Sequence, residues 1–146
     1  MLKTAADRRV LLLILIAALG TVLVILFLFR IDSDLNRRNI EFISAYGWQV
    51  DSEPVDTANI NIPREFNAVF ETYNTICQNS GFDLSNFKGA RAVRYSYRVL
   101  NHQDSESGLV RANVFVVKNN IIAGDISSLK AGGFIQPISD TTGIVQ

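Results

Sequence analysis

The sequence predicts an α+β protein. An N-terminal transmembrane helix precedes a small domain whose curved antiparallel sheet, of about five strands, packs on one or two helices in the order α-β-β-α-β-β-β. Three observations predict it. Residues 10–29, VLLLILIAALGTVLVILFLF, hold no charge and no proline. Residues 66–77 place Phe66, Val69, Phe70, Tyr73, Ile76 and Cys77 at spacings of three and four, which is the period of one helix face. Segments 93–99, 109–117 and 121–128 follow one another through connections too short for parallel crossovers, so neighbouring strands must run antiparallel.

The apolar run comes first in the chain. A helix of its length rises about 30 Å, the thickness of the hydrocarbon core, and satisfies its own backbone in lipid. The apolar region of a cleaved signal spans about 7–15 residues and ends in small residues. Here the run is longer and leaves through Leu28-Phe29-Arg30-Ile31-Asp32, so it is read as an uncleaved anchor. Residues 1–9 are then a cytoplasmic tail and residues 30–36 a polar tether. Lys3, Arg8 and Arg9 before the span balance Arg30, Arg37 and Arg38 after it. A plain Lys/Arg count is therefore a tie. Arg8 and Arg9 abut the run and the free amino terminus adds charge, so the N-terminus is placed in the cytoplasm and the domain outside the cell membrane. Ala17, Ala18 and Gly20 form a patch of small residues that suits a lateral helix contact.

The soluble part is read as one domain over residues 37–135 with a polar tail over residues 136–146. Beyond Arg30 it carries ten basic and thirteen acidic side chains. That balance argues against nucleic-acid binding. Cys77 is the only cysteine, so no intrachain disulfide is available.

A helix is expected from about Asp34 to Tyr46, capped by Ser33 or Asp34 and stopped by Gly47. Trp48–Val50 reads as a strand, Asp51–Pro54 as its turn, and Val55–Ile62 as a second strand with alternating Asn59, Ile60, Asn61 and Ile62. Pro63 is placed at the first position of the second helix, which ends at Gly81. In the next strand Val93, Tyr95, Tyr97 and Val99 form a buried face, and Arg94, Ser96 and Arg98 a wet one. Residues 101–108, NHQDSESG, form a loop. The strand from Leu109 to Val117 is more apolar than its neighbours apart from Arg111 and Asn113 and reads as central, and Lys118-Asn119-Asn120 is the turn into the last strand.

Several segments carry a family resemblance when taken in order. They are Ile40–Trp48 (IEFISAYGW) with Val50, Val55 with INIPREF at 60–66, Tyr73-Asn74, Gly81–Ser85 (GFDLS), Tyr97–Leu100, Arg111–Val114 (RANV), Ala123–Ser127 (AGDIS) and Gly133-Phe134. This pattern resembles domain of unknown function 4830, a family of small exported or membrane-anchored proteins of Gram-positive bacteria, over about residues 37–135. The resemblance implies a domain boundary and a place in the bacterial envelope. It implies no activity.

Candidate sites are few. His102 lies in the polar loop beside Asp104 and Glu106 and is expected to be solvated there. Cys77 sits in the helix stripe, where an inert buried thiol is expected. Arg94, Arg98, Arg111, Asn113 and Asp125 form the one polar cluster of the sheet, read first as an ordered network and second as a binding face. Arg94 and Arg98 lie about 13 Å apart along the strand, too far to clamp one carboxylate, and cross-strand acids such as Asp125 are expected to pair with them. No cysteine or histidine pair, calcium loop, phosphate loop or nucleophile elbow is present, so no metal or cofactor is expected. The function classes that follow are a non-enzymatic binder of a protein partner or envelope component, a regulatory subunit acting laterally on another membrane protein, and a wall-acting enzyme pairing Asp125 with Glu53, Glu65 or Glu71.

Overall fold

The computed structural model describes residues 5–145, in two compact units that divide between Leu35 and Asn36. Helix α1 runs Ala5–Ala45. Within the first unit its side chains from Val10 to Leu28 are exposed. Among the described residues this is the one helix long and apolar enough to cross a membrane. Thr21, the polar side chain of the run, returns its hydroxyl to the Ala18 carbonyl at 2.7 Å, which satisfies it without water. The expected polar tether at residues 30–36 is helical instead, and no cap starts a second helix there. The Ser33 hydroxyl donates to the Arg30 carbonyl at 3.0 Å. A serine that bonds back one turn is compatible with a continuing helix.

The second unit holds strand β1 (Asp56–Asn61), helix α2 (Ala68–Gln78), and strands β2 (Arg91–Arg98), β3 (Val110–Val117), β4 (Asn120–Ser128) and β5 (Ile135–Pro137). The sheet order is β1-β2-β3-β4-β5, antiparallel at every pairing, and β3 is central as its apolar sequence predicts. The α+β class and the strand number stand, while the element order changes in two places. Residues 48–50 supply only an isolated bridge, Val50 to Val99, because Trp48 turns inward as a fully packed side chain. The fifth strand lies at Ile135–Pro137, in the stretch expected to end the domain and begin the tail. That tail is part of the fold: Ile138 is fully buried and Ile144 bridges His102.

Helix α2 starts later than Pro63 suggests. Asn67 caps it in extended backbone and accepts from the Phe70 N–H at 2.9 Å, since asparagine is a strong N-cap. At the far end Gly81 has φ +84°, and the Phe82 N–H returns to the Cys77 carbonyl at 3.1 Å, the Schellman closure. The β3–β4 turn places Lys118 (φ 47°) and Asn119 (φ 65°) in the left-handed region, as a two-residue hairpin of this hand requires.

Both sides of the sheet are covered. The last turns of α1, from Asn36 on, lie over one side. There Asn39 donates to the Tyr97 hydroxyl at 3.1 Å, and that hydroxyl donates to Asn36 Oδ1 at 2.8 Å. Helix α2 covers part of the other side, over a core of Ile62, Cys77, Leu84, Ala92, Phe115, Ile122 and Ala123.

Candidate functional site

Strand register brings the predicted polar cluster onto one side of the sheet, the side that α2 covers. Asp56, Ser96, Asn113, Asp125 and Pro137 face one another in a single row across all five strands. The flanking rows hold Arg94 beside Phe115, and Arg98 beside Arg111 and Ser127. The five predicted residues are therefore neighbours, but they do not form one network.

Two subsets separate by their partners. Asn113 and Asp125 belong to a buried set. The Asn113 amide donates to Asp125 Oδ1 at 2.7 Å and to the Ser127 hydroxyl at 2.9 Å, and its carbonyl oxygen accepts from the Ser96 hydroxyl at 2.7 Å. The Tyr73 hydroxyl reaches down from α2 and donates to Asp125 Oδ2 at 2.6 Å. Asp125 is only 2% exposed. Burial raises its pKa above the ordinary carboxylate value, against the opposing hydrogen bonds from Tyr73 and Asn113 and the nearby charge of Arg94. Burial and the charge of Asp125 together push the Tyr73 phenol well above its usual range.

The arginines pair elsewhere. Arg94 binds Asp56 at 2.6 Å and Arg98 holds Asp51 through two hydrogen bonds at 2.8 and 3.1 Å. The expected Arg–Asp125 ion pair is replaced by these, because β1 and the segment before it bring acids to the exposed edge. Arg98 holds the Asp51 carboxyl below its usual value. Arg111 folds onto the Gly108 and Val110 carbonyls. Nε of Arg94 is buried without a hydrogen-bond partner.

His102 corrects the expectation of a solvated loop residue. It is 2% exposed, stacked between Trp48 and Phe134 at ring separations of 6.0 and 5.2 Å. Its Nδ1 accepts from the Asp104 N–H at 3.0 Å. Gly143 closes over the ring edge, where an added Cβ would fall 2.3 Å from Nε2. Cys77 is fully buried and its thiol is pushed up to about 12 by burial, so it is protonated and a poor nucleophile at neutral pH.

Sequence reasoning missed Tyr73 as a polar participant, because it counted the residue toward the apolar stripe. It also placed Val69 in that stripe, yet Val69 is 78% exposed. Val69, Phe70, Thr72, Tyr73 and Ile76 of α2, with Ile135 of β5, line a shallow apolar groove of about 440 Å³. Ile135 stands on the free edge strand and is half exposed. Since the Ser128 N–H bonds the Phe134 carbonyl, alternation along an antiparallel ladder turns the backbone groups of Ile135 outward, toward the open edge. The groove thus combines apolar walls with an unpaired strand edge. The carboxylates Glu53, Glu65 and Glu71 are exposed, whereas Asp125 is buried.

Among families, the profile described as Domain of unknown function (DUF4830) matches residues 42–126, more than half of the chain. The matched range holds Tyr73, Ser96, Asn113 and Asp125 and stops before β5. No curated protein and no solved structure matches the chain.

Proposed function

We propose a function from one premise: the chain belongs to the DUF4830 family, a domain of unknown function, so its role must be sought in its own surfaces. The reading is a membrane-anchored, non-enzymatic binding domain that lies outside the cell membrane and engages a protein partner along the groove between α2 and β5. The observation that carries it is the exposure of Val69 and Ile135 together at an open strand edge. Apolar side chains clustered beside a free edge favour association with another chain. The polar set under Tyr73 supports the reading in a second way. It ties α2 to β4 through Asp125, so one wall of the groove is held in place, and a preformed wall lowers the ordering cost of binding.

Two experiments test it. A photo-crosslinking amino acid at position 69 in native cells is expected to give a discrete adduct, and the same residue at position 119, on the far hairpin, none. Equal yields from both positions, or an adduct that survives Ile135→Glu, would remove the groove from consideration. Orientation is tested separately. Protease added to intact, wall-stripped cells is expected to digest the portion after Ile31 and leave the first residues protected. Cleavage only after lysis would reverse the topology, and a shortened form in the medium would mean that residues 10–29 are a removed signal.

A further inference from the structure

The two ends of the sheet differ in how their cations are satisfied. At the end where β2 finishes, Arg98 pairs with Asp51 and Lys130 with Asp104; in the next row but one, Arg94 pairs with Asp56. The other end is formed by the close of β1, the start of β2 and the β3–β4 turn. It gathers Arg64, Lys88, Arg91 and Lys118, and among the described residues none of these four has a carboxylate partner. Arg38 joins them from α1 by donating to the Asn119 carbonyl of the turn. A domain whose remaining charge is mildly acidic therefore gathers four cations without a carboxylate partner on one end, while at the other Arg111 rests on the Gly108 and Val110 carbonyls.

A pocket of about 420 Å³ opens there, lined by Asn86, Lys88, Gly89, Lys118 and Asn120 with apolar backing from Phe87, Ala90 and Val117. Its lining residues carry two ammonium groups and two carboxamides, of which that of Asn120 also donates to the Lys118 carbonyl at 3.4 Å, and no carboxylate. The walls are fixed. Gly89 (φ +78°) donates to the Ile62 carbonyl at 3.0 Å, the Ala90 N–H to the Phe87 carbonyl at 2.9 Å, and Lys88 lies 4.7 Å over the Phe66 ring. Arg64 packs against the other side of Gly89, where an added Cβ would meet its Cγ at 3.1 Å.

We propose that this pocket binds a phosphate group, with Lys88 and Lys118 as its cationic walls and the Asn86 and Asn120 amides as neutral donors. The charge count selects the class. A phosphate monoester carries about −1.5 to −2 at neutral pH and offers three acceptor oxygens, matching two ammoniums and two carboxamides. A single carboxylate leaves one ammonium unmatched. The same chemistry is presented by a lipid whose headgroup is a phosphate monoester and by a soluble phosphate monoester. The proposal does not depend on the α2–β5 groove, which lies on other residues.

The test uses the full chain in neutral maltoside micelles, with amide NMR and ionic strength held constant by chloride. Inorganic phosphate is expected to give saturable shifts confined to residues 86–90 and 117–120. Lys88→Gln with Lys118→Asn should weaken affinity by about tenfold or more, the scale of losing charge-assisted hydrogen bonds. Asparagine is chosen at position 118 because it tolerates the left-handed backbone there. Both sites are exposed, and unchanged amide positions elsewhere verify the fold. Arg98→Gln, at the opposite end, should leave the affinity unaltered. Glycerol 1-phosphate in solution and phosphatidic acid doped into the micelle, both phosphate monoesters, then separate the sources: tighter binding of the lipid assigns a headgroup, equal or weaker binding a soluble ester. Unsaturated drift over all exposed amides, an unchanged affinity in the double variant, or no binding of any of the three probes overturns the proposal.

Discussion

The two sides of one sheet are built on different chemistry although the same strands make both. On the α1 side, Tyr97, Val99, Val110, Ala112, Val114 and Ile126 are almost completely buried. Gly124 leaves room there for Phe42 and Ile138, which an added Cβ would meet at 2.9 and 3.1 Å. On the α2 side, apolar Phe115 and Ala123 give way in the next row to Asn113 and Asp125, with Ser96 beside them. Burial is similar on both sides and its consequences are not. The first side gains mainly from hydrophobic transfer, and its polar contacts centre on the Tyr97 hydroxyl held by Asn36 and Asn39. The second must satisfy every polar atom it encloses, which makes it sensitive to single-atom changes and to pH.

The largest expected effect lies on the dry side. Trp48 is fully packed and its Nε1 donates to the Ile138 carbonyl at 2.8 Å. Trp48→Ala should destabilise the domain by about 3–5 kcal/mol, read by urea unfolding of the detergent-solubilised chain with far-UV circular dichroism. A loss below about 1 kcal/mol would mean that this side tolerates voids and that the contrast between the sides is weaker than drawn.

Removing the acid on the polar side should cost less but act more specifically. Asp125→Ala leaves the Tyr73 hydroxyl and the Asn113 amide without their acceptor, a loss of about 1–3 kcal/mol. Faster amide hydrogen exchange in α2 than in β2 would locate the effect at the helix–sheet link. Uniform acceleration across the domain would instead show that Asp125 supports the whole fold and not that link.

Two aspartates of the domain respond to pH in opposite directions. Asp125 has a folded pKa above its ordinary value of 3.8. Its folded form therefore binds a proton that the unfolded chain has already released, and stability falls as pH rises from 3.8 through the folded value. Asp83 is the opposite case. Its hydrogen bonds with Ser85 and Asn74 lower its pKa from 3.8 to about 2. Its contribution is present above 3.8 and is lost as pH falls toward about 2. Unfolding free energies of Asp125→Asn and Asp83→Asn, each measured against the parent chain between pH 2 and 7, should diverge with opposite slopes. Parallel slopes would contradict both assignments.

The smallest effect is expected at the exposed edge. Arg98 and Asp51 are bonded twice but solvent-accessible, and surface pairs contribute little. Arg98→Gln should leave the unfolding midpoint within experimental spread. A clear shift would show that the edge pair orders the segment before β1.

The legible parts of this protein are those governed by local pattern. The continuous apolar run, the mostly apolar β3 and the tight turn at Lys118–Asn120 could be read directly, because their periods and turn residues are carried by adjacent positions. The family pattern over residues 40–134 was legible as ordered short motifs, and the match over residues 42–126 falls within it. Element ends were less legible. Pro63 signalled a helix start four residues before Asn67 provided the cap.

Other features depend on which distant segments meet, and no local period encodes that. His102 looks solvated in NHQDSESG because the rings that enclose it come from positions 48 and 134. Asp125 could be singled out as an odd acid in a strand, but its partner Tyr73 was hidden in a helix stripe. The cations of the polar cluster looked available until β1 and its leading segment brought Asp56 and Asp51 to them. Those at the other end became a group only when the sheet aligned Lys118 with Lys88 and Arg91. The long apolar helix and the class of fold follow from the residue pattern alone, since they rest on short-range geometry, whereas the side expected to be wet at Ser96 is buried beneath α2. Only the tertiary structure decided which polar groups are buried, paired or left exposed, because electrostatics and hydrogen bonding act over a few ångströms between residues far apart in the chain.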